Sequence, residues 1–317
     1  MRLIEDIENI SNPLTRSVLT IGNFDGVHLG HQHLFNKVVE TARKINGTAI
    51  AMTFEPHPMK VIKLDGCPFP LITLYEQKVE LLSKVGLDIL IVVPFTFKFS
   101  QISALHFVQD ILVKRIGVKF IVIGNDYCFG KNREGNIQLL QEYGNEFGFS
   151  VQVVPWKSFD STSQTRISST AIRKAVGSGN LKLAKQMLGR YYQVKGIVQR
   201  GRNRGGSKVG FPTANLNLYD ELKPLNGVYA VSVLYQDKYY PAVANIGYAP
   251  TFDDKEYTLE IHIIDFSGNL YDQTIRVNFI ERLRDEVKFD SIDALSNQIK
   301  QDIQNAKMLF DTFLVPQ

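Results

Sequence analysis

Ile21-Gly22-Asn23-Phe24-Asp25-Gly26-Val27-His28-Leu29-Gly30-His31 is the stretch whose reading decides how this chain folds. It follows the apolar run Val18–Ile21 and leads into Leu34, Val38 and Ala42, which recur at helical spacing. Strand, glycine-broken turn and helix start is the plain reading. Gly22, Gly26 and Gly30 let the backbone come close to a ligand, and the first helical turn adds unpaired N–H groups and a positive dipole end. That combination suits phosphate. His28 and His31 fall at the same helix start, where imidazoles can donate hydrogen bonds to a phosphoryl group as its charge grows. A purely structural turn remains the alternative at this point.

Outward from that turn, short apolar runs alternate with amphipathic segments. Strands are expected at Val18–Gly22, Thr48–Phe54, Ile89–Val93, Phe120–Gly124 and Ser150–Val154, with helices around 31–45, 73–84, 102–115 and 134–143. Runs such as ILIVV and FIVIG carry no polar alternation, as in a parallel sheet covered on both faces. Ligands of such α/β domains lie at the carboxyl ends of the strands. Two loops in those places carry chemistry: Phe54-Glu55-Pro56-His57-Pro58 and Gly124-Asn125-Asp126-Tyr127-Cys128-Phe129-Gly130. Asp126 reads as a helix cap or as an active-site acceptor, and His57 as a loop anchor or a ligand group. After Trp156, Arg166, Ser168, Ser169, Thr170 and Arg173 gather hydroxyls and guanidinium forks around another helix start, a setting for phosphate oxygens or a capped joint.

Past Arg190 the rhythm changes. Apolar–polar alternation with tight turns at Tyr192–Val198, Val228–Tyr235, Tyr240–Ile246, Tyr257–Ile263 and Ile275–Phe279 points to a small antiparallel barrel of five or six strands. Helical spacing returns from Ser291 to about Phe313. Lys195, Arg200, Arg202, Arg204 and Lys208 crowd a glycine-rich loop that reads as a phosphate cover, a solvated loop or an RNA-binding patch. It ends in Gly210-Phe211-Pro212-Thr213-Ala214-Asn215, where Thr213 and Asn215 share a face of an extended stretch and offer oxygens suited to Mg²⁺. Glu260 sits on the less apolar register of its strand, facing either a cleft or bulk water.

Composition narrows the classes. With 317 residues, 44% hydrophobic and 21% charged, the chain has length for two ordinary domains. A net charge of +4 suits phosphorylated ligands without demanding nucleic acid. The two cysteines, Cys67 and Cys128, form neither a disulfide framework nor a zinc site. The N-terminus lacks a signal-peptide core and no apolar span is long enough to cross a bilayer, so a cytoplasmic protein is expected. Neither a GK[ST] phosphate loop nor a GxGxxG fingerprint in its usual setting occurs.

GxFDGxHxGH taken whole resembles the signature of the HxGH nucleotidyltransferase superfamily, which transfers a nucleotide from a nucleoside triphosphate and releases pyrophosphate. RISSTAIR at Arg166–Arg173, TFEPHP, the GNDYCFG loop and LGRYY at 188–192 narrow the resemblance to the bacterial bifunctional riboflavin kinase/FMN adenylyltransferase (FAD synthetase) family. GFPTAN, NGVYAV, NIGYAPTF, LEIHIIDFSGNLY and the late RLRDExxF segment resemble its flavokinase domain, in order. Aminoacyl-tRNA synthetases, the nearest other class, ordinarily carry a lysine-centred second signature that is missing here.

The resemblance implies a Rossmann-like nucleotidyltransferase domain over 1–186 and a flavokinase-type antiparallel β-barrel with terminal helix over 187–317. It implies that riboflavin becomes FMN and FMN becomes FAD, with ATP and Mg²⁺ in both steps. It further implies that His28, His31, Arg166 and Arg173, with Asn125, Ser169 and Thr170, surround the phosphates and bases. Gly22, Phe24, Asp25, Gly30, Phe54, His57, Asp126 and Ser168 would line the same substrates. In the second half, Thr213 and Asn215 would hold Mg²⁺, Glu260 would be the base, and Gly201, Arg204, Gly210, Pro212 and Asn245 would bind ATP or flavin. Small molecules are the expected partners. Nucleic acid and membrane are not, and self-association stays open. One departure stands out: Arg202–Val209 is one residue longer than the family's usual loop, with Gly205-Gly206 in tandem. Because both anchors persist, deleting Gly206 is expected to alter ATP affinity and leave riboflavin phosphorylation in place, as measured by turnover; complete loss would refute this.

Overall fold

Every residue of Ser17–Ile21 (β2) is buried, so this strand needs cover on both faces, and the first sheet is built around it. The computed structural model describes residues 1–62, 69–157, 166–199, 210–248 and 257–313. The basic loop with Gly201 and Arg204, the NIGYAPTF end beyond Tyr248, Cys67 and most of the polar linker lie outside the described residues. Two compact units divide the chain: Met1–Phe69 with Leu74–Ser168, and Pro70–Thr73 with Ser169–Gln317.

The first unit runs β1 (Arg2–Glu5), β2, α1 (Leu29–Lys44), β3 (Thr48–Glu55), α2 (Pro58–Ile62), α3 (Tyr75–Ser83), β4 (Ile89–Pro94), α4 (Phe97–Ser100) and α5 (Ala104–His106). A π-helical stretch (Phe107–Ile116), β5 (Val118–Gly124), α6 (Ile137–Phe147) and β6 (Ser150–Val154) complete it. The strands pair in parallel in the order β1-β4-β3-β2-β5-β6. From β2 the chain winds outward through β3 to β4, then returns to lay β5 and β6 on the other side. The strand order therefore reverses between β2 and β5, and the crevice for a ligand opens outside their carboxyl ends.

Side-chain alternation splits the core in two. Leu19 and Ile21 join Ile50, Met52 and the π-helical Val108 and Leu112 on one face. Val18 joins Ala49, Ala51 and Phe35 of α1 on the other. Two expectations change here. The helix around 102–115 is a short α5 capped by the Ser103 side chain and continued as a π-helix, a distinction that apolar periodicity over two turns does not carry. Strand β1 was missed because a four-residue edge strand burying only Ile4 leaves almost no pattern.

The second unit starts with α7 (Ser169–Gly177) and α8 (Leu181–Leu188), then β7 (Tyr192–Ile197), β8 (Ala214–Asn217), β9 (Gly227–Tyr235), β10 (Lys238–Tyr248), β11 (Tyr257–Ile263), β12 (Thr274–Arg284) and α9 (Ile292–Asp311). Its strands are antiparallel, in the order β7-β12-β9-β10-β11-β8. The two ends of the sheet meet where the Gln199 N–H donates to the Asn215 carbonyl at 2.9 Å, closing a six-stranded barrel. Strand β8 adds to the five segments read from alternation. Tyr192, Leu216, Tyr229, Leu259, Ile261 and Phe279, each 0–1% exposed, fill the interior, and burying each stabilises by roughly 1.5–3 kcal/mol.

Helix α9, capped by Ser291, lays Ala306, Ile303 and Leu309 over Val228, Ala230 and Val243 on the barrel's outer wall. Arg284 and the buried Asp302 form a forked pair, with Nη2 to Oδ2 at 2.9 Å, that ties the end of β12 to α9.

Candidate active site

The histidine turn exits β2 at the reversal point. His28 caps α1: its Nδ1 accepts from the His31 N–H at 3.2 Å. With Nδ1 serving as acceptor, the neutral His28 ring carries its proton on Nε2. His31 stacks on His28 with ring centroids 3.5 Å apart. Burial first, then His28 and Arg166, hold the His31 pKa well below the usual imidazole value. It is therefore neutral near pH 7, and its Nδ1 is buried without a hydrogen-bond partner among the described residues. Imidazoles at a helix N-terminus, with His31 held neutral, make donors for phosphate oxygens and spend little reorganisation when charge develops.

The glycines serve these rings. A Cβ at Gly30 would meet the His28 ring at 3.1 Å and the Ile167 carbonyl at 3.4 Å, so the ring folds into space that only glycine leaves. Phe24 and Val27 adopt φ of 49° and 40°, a left-handed conformation costing about 1–3 kcal/mol each. Burial offsets it: Phe24 is 2% exposed and packs edge-on against Phe35 at 4.8 Å. Gly22 leaves room for that ring, since a Cβ there would lie 2.8 Å from it. Asp25 is buried in the same turn. Gly30→Ala is accordingly expected to displace His28 and lower any turnover that uses this ring roughly ten- to a hundredfold, with turnover at the barrel unchanged; a normal rate would show that the ring has room to swing.

Across the crevice, Asn125 and Asp126 stand exposed just past β5, and Arg166 Nη2 meets the Asp126 carboxylate at 2.6 Å. Phe54 at the end of β3 packs with Phe95 and Phe99, and buried His57 stacks on Phe69 at 4.5 Å while its Nδ1 accepts from the Met59 N–H. Ser168 closes the first unit. Ser169, Thr170 and Arg173 belong to the second, where they open α7 and Arg173 Nε donates to the Pro70 carbonyl at 2.9 Å.

On the barrel, register lines up a row of polar residues. Asn215 of β8 faces Glu260 of β11, which faces Asn245 of β10. Their neighbours Ala214, Leu216, Leu259 and Ile261 point inward. His262, two residues beyond Glu260, has its Nδ1 2.9 Å from the Pro212 carbonyl. An Nδ1–H donated there fixes the approach of Thr213 to β8. Gly210 lies at φ 85°, and a Cβ there would meet no atom of the described residues within 4 Å.

Asn245 Nδ2 donates to Glu286 at 3.4 Å, while its Oδ1 is buried and without a hydrogen-bond partner among the described residues. Gly247 supplies the notch for Glu286, since a Cβ there would fall 2.3 Å from its carboxylate. Loss of surrounding water and then Glu286 push the Glu260 pKa up from the ordinary carboxylate value. No three-carboxylate or imidazole metal cluster occurs among the described residues. Hydroxyl and amide oxygens beside a carboxylate instead fit a Mg²⁺ that takes most of its shell from water and phosphate.

Glu286 entered the sequence reading only as part of the RLRDExxF segment, without a role of its own; two residues past the end of β12, its carboxylate meets Asn245 and the notch at Gly247. That reading also passed over Trp156, which lies two residues past β6 as Asp126 lies two past β5; that equivalence was the available signal.

A family model described as FAD synthetase matches residues 10–171, and one described as riboflavin kinase matches 188–310. Among curated proteins, the chain is 40% identical to a bifunctional riboflavin kinase/FMN adenylyltransferase of Haemophilus influenzae, covering 98% of this chain and 100% of that one. It is equally 40% identical to the Escherichia coli strain K12 protein of the same description, with 98% of each covered. A Streptococcus pneumoniae crystal structure described as a macrolide-efflux protein superposes with a TM-score of 0.85 at 34% identity, over 97% of this chain and 99% of that one.

Proposed function

The chain belongs to the bifunctional riboflavin kinase/FMN adenylyltransferase family, and we infer from that premise how its residues divide the two reactions. It phosphorylates riboflavin with ATP to give FMN and ADP, then joins FMN to the AMP portion of ATP to give FAD and pyrophosphate.

Adenylyl transfer is assigned to the first unit's crevice. A terminal phosphate oxygen of FMN attacks the α-phosphorus of ATP, and the bond to pyrophosphate breaks. His28 and His31 donate hydrogen bonds to phosphate oxygens, and Arg166 offsets the negative charge gathered there. Positioning and electrostatics carry such a step, with no covalent nucleophile on the protein. Asn125 and Ser168 are proposed to contact ATP or FMN there.

Phosphorylation is assigned to the barrel wall. Glu260 takes the proton from the terminal ribityl hydroxyl of riboflavin as its oxygen attacks the γ-phosphorus and ADP leaves. Its raised pKa makes it the better acceptor of that proton. Thr213 and Asn215 are proposed to hold Mg²⁺, which when bound with ATP offsets charge on the transferred group. The basic loop with Gly201 and Arg204 is proposed to cover the ATP phosphates.

What carries this division is the difference between the two surfaces: neutral donors at a helix end in one unit, and a carboxylate flanked by amides in the other. An efflux role gains no support: among the described residues no helix is long and apolar enough to cross a membrane, and the name belongs to the pneumococcal structure alone. Chromatography of flavins after incubation with riboflavin, ATP and Mg²⁺ tests the assignment. FMN followed by FAD is the expected order, and formation of neither under any divalent metal would overturn it.

A further inference from the structure

Arg166 is held before any nucleotide arrives. Its guanidinium lies over the Trp156 ring, 4.1 Å from the centroid, while Nη2 meets Asp126 at 2.6 Å. The backbone supports the arrangement independently. In the parallel pair β5–β6, Gly124 registers with Val154, so Asp126 and Trp156 leave neighbouring strands at the same level. The Ile167 N–H donates to the Lys157 carbonyl at 3.3 Å, which draws Arg166 between them. Ile167 in turn sets its carbonyl 3.4 Å from where a Gly30 Cβ would be, so the residue after Arg166 abuts the histidine turn.

We propose that Trp156 is a positioning residue for adenylyl transfer: its indole face and the Asp126 carboxylate hold Arg166 ready beside the histidine turn for the triphosphate. The inference rests on reading Arg166 as a phosphate-binding group of that site. Arginine loses much rotamer freedom when it grips a ligand, and a stacked, pre-aligned fork loses less on binding. Aromatic faces attract guanidinium groups, and this indole is 49% exposed, so it offers a platform more than core packing. When ATP enters, its phosphates replace Asp126 as the anion while the stack persists. Phenylalanine retains a platform and leucine does not.

The test is steady-state FAD formation by the full chain carrying Trp156→Leu, Trp156→Phe or Arg166→Ala, with FMN formation as the measure of folding. For W156L the KM for ATP should rise about three- to tenfold, with kcat changed less and FMN formation unaltered. W156F should recover most of the loss. Trp156 is the single tryptophan in the chain, so ATP with Mg²⁺ should change tryptophan emission in the wild type, and much less in R166A.

W156L matching W156F, or a KM rise confined to FMN, overturns the inference. Undiminished FAD formation by R166A instead overturns the reading of the site, whatever the Trp156 variants do. Should W156L lose both activities through misfolding, the wild-type emission titration decides: a response lost in R166A supports the proposal, and no response to ATP overturns it.

Discussion

His31→Ala is expected to lower FAD formation from FMN and ATP by at least about a hundredfold, while FMN formation from riboflavin stays at the wild-type rate. The size follows from what the ring is. It is a neutral donor, kept so by burial and by His28 and Arg166, and its Nδ1 has no competing partner among the described residues. Such a donor costs nothing to reorient when charge moves onto the phosphoryl oxygens. The ring also stacks on His28, so alanine removes a packing surface; His31→Gln, which keeps bulk and a donor but not the stack, should fall between the two. Chromatography of flavin products, with each flavin supplied separately, reads both reactions in one sample. Loss of both in folded protein would falsify the two-site assignment.

Glu260→Gln should do the reverse, cutting riboflavin phosphorylation by roughly 10²–10⁴ and leaving the conversion of FMN to FAD intact. Glutamine keeps the shape and one acceptor oxygen of the residue between Asn215 and Asn245 but takes no proton. The substitution also relieves the charge opposition from Glu286, so the barrel should be no less stable than the wild type. A thermal unfolding scan checks that, and a rate loss without a loss of stability separates chemistry from folding. Near-normal phosphorylation by E260Q would remove Glu260 from the role of base and turn attention to Glu286.

The turn after β2 shows how far residue pattern reaches. Gly22, Gly30 and the paired histidines were readable as a strand-to-helix turn because backbone conformation and helix ends are local physics. That Gly30 yields its space to the His28 ring was not readable, for the ring's position depends on the cap it makes. Strands with unbroken apolar runs declared themselves, whereas β1 and β8, four residues each, lacked the length for any period to emerge.

Local sequence by itself determined that two differently patterned halves follow each other, one with buried parallel strands and one alternating. Those properties need only neighbours along the chain. Tertiary structure alone decided which distant groups meet: Asp126 and Trp156 around Arg166 through the register of β5 with β6, and Asn215, Glu260 and Asn245 across three strands of the barrel. Strand pairing and side-chain burial set those meetings, and both depend on residues tens of positions apart, which no local spacing encodes.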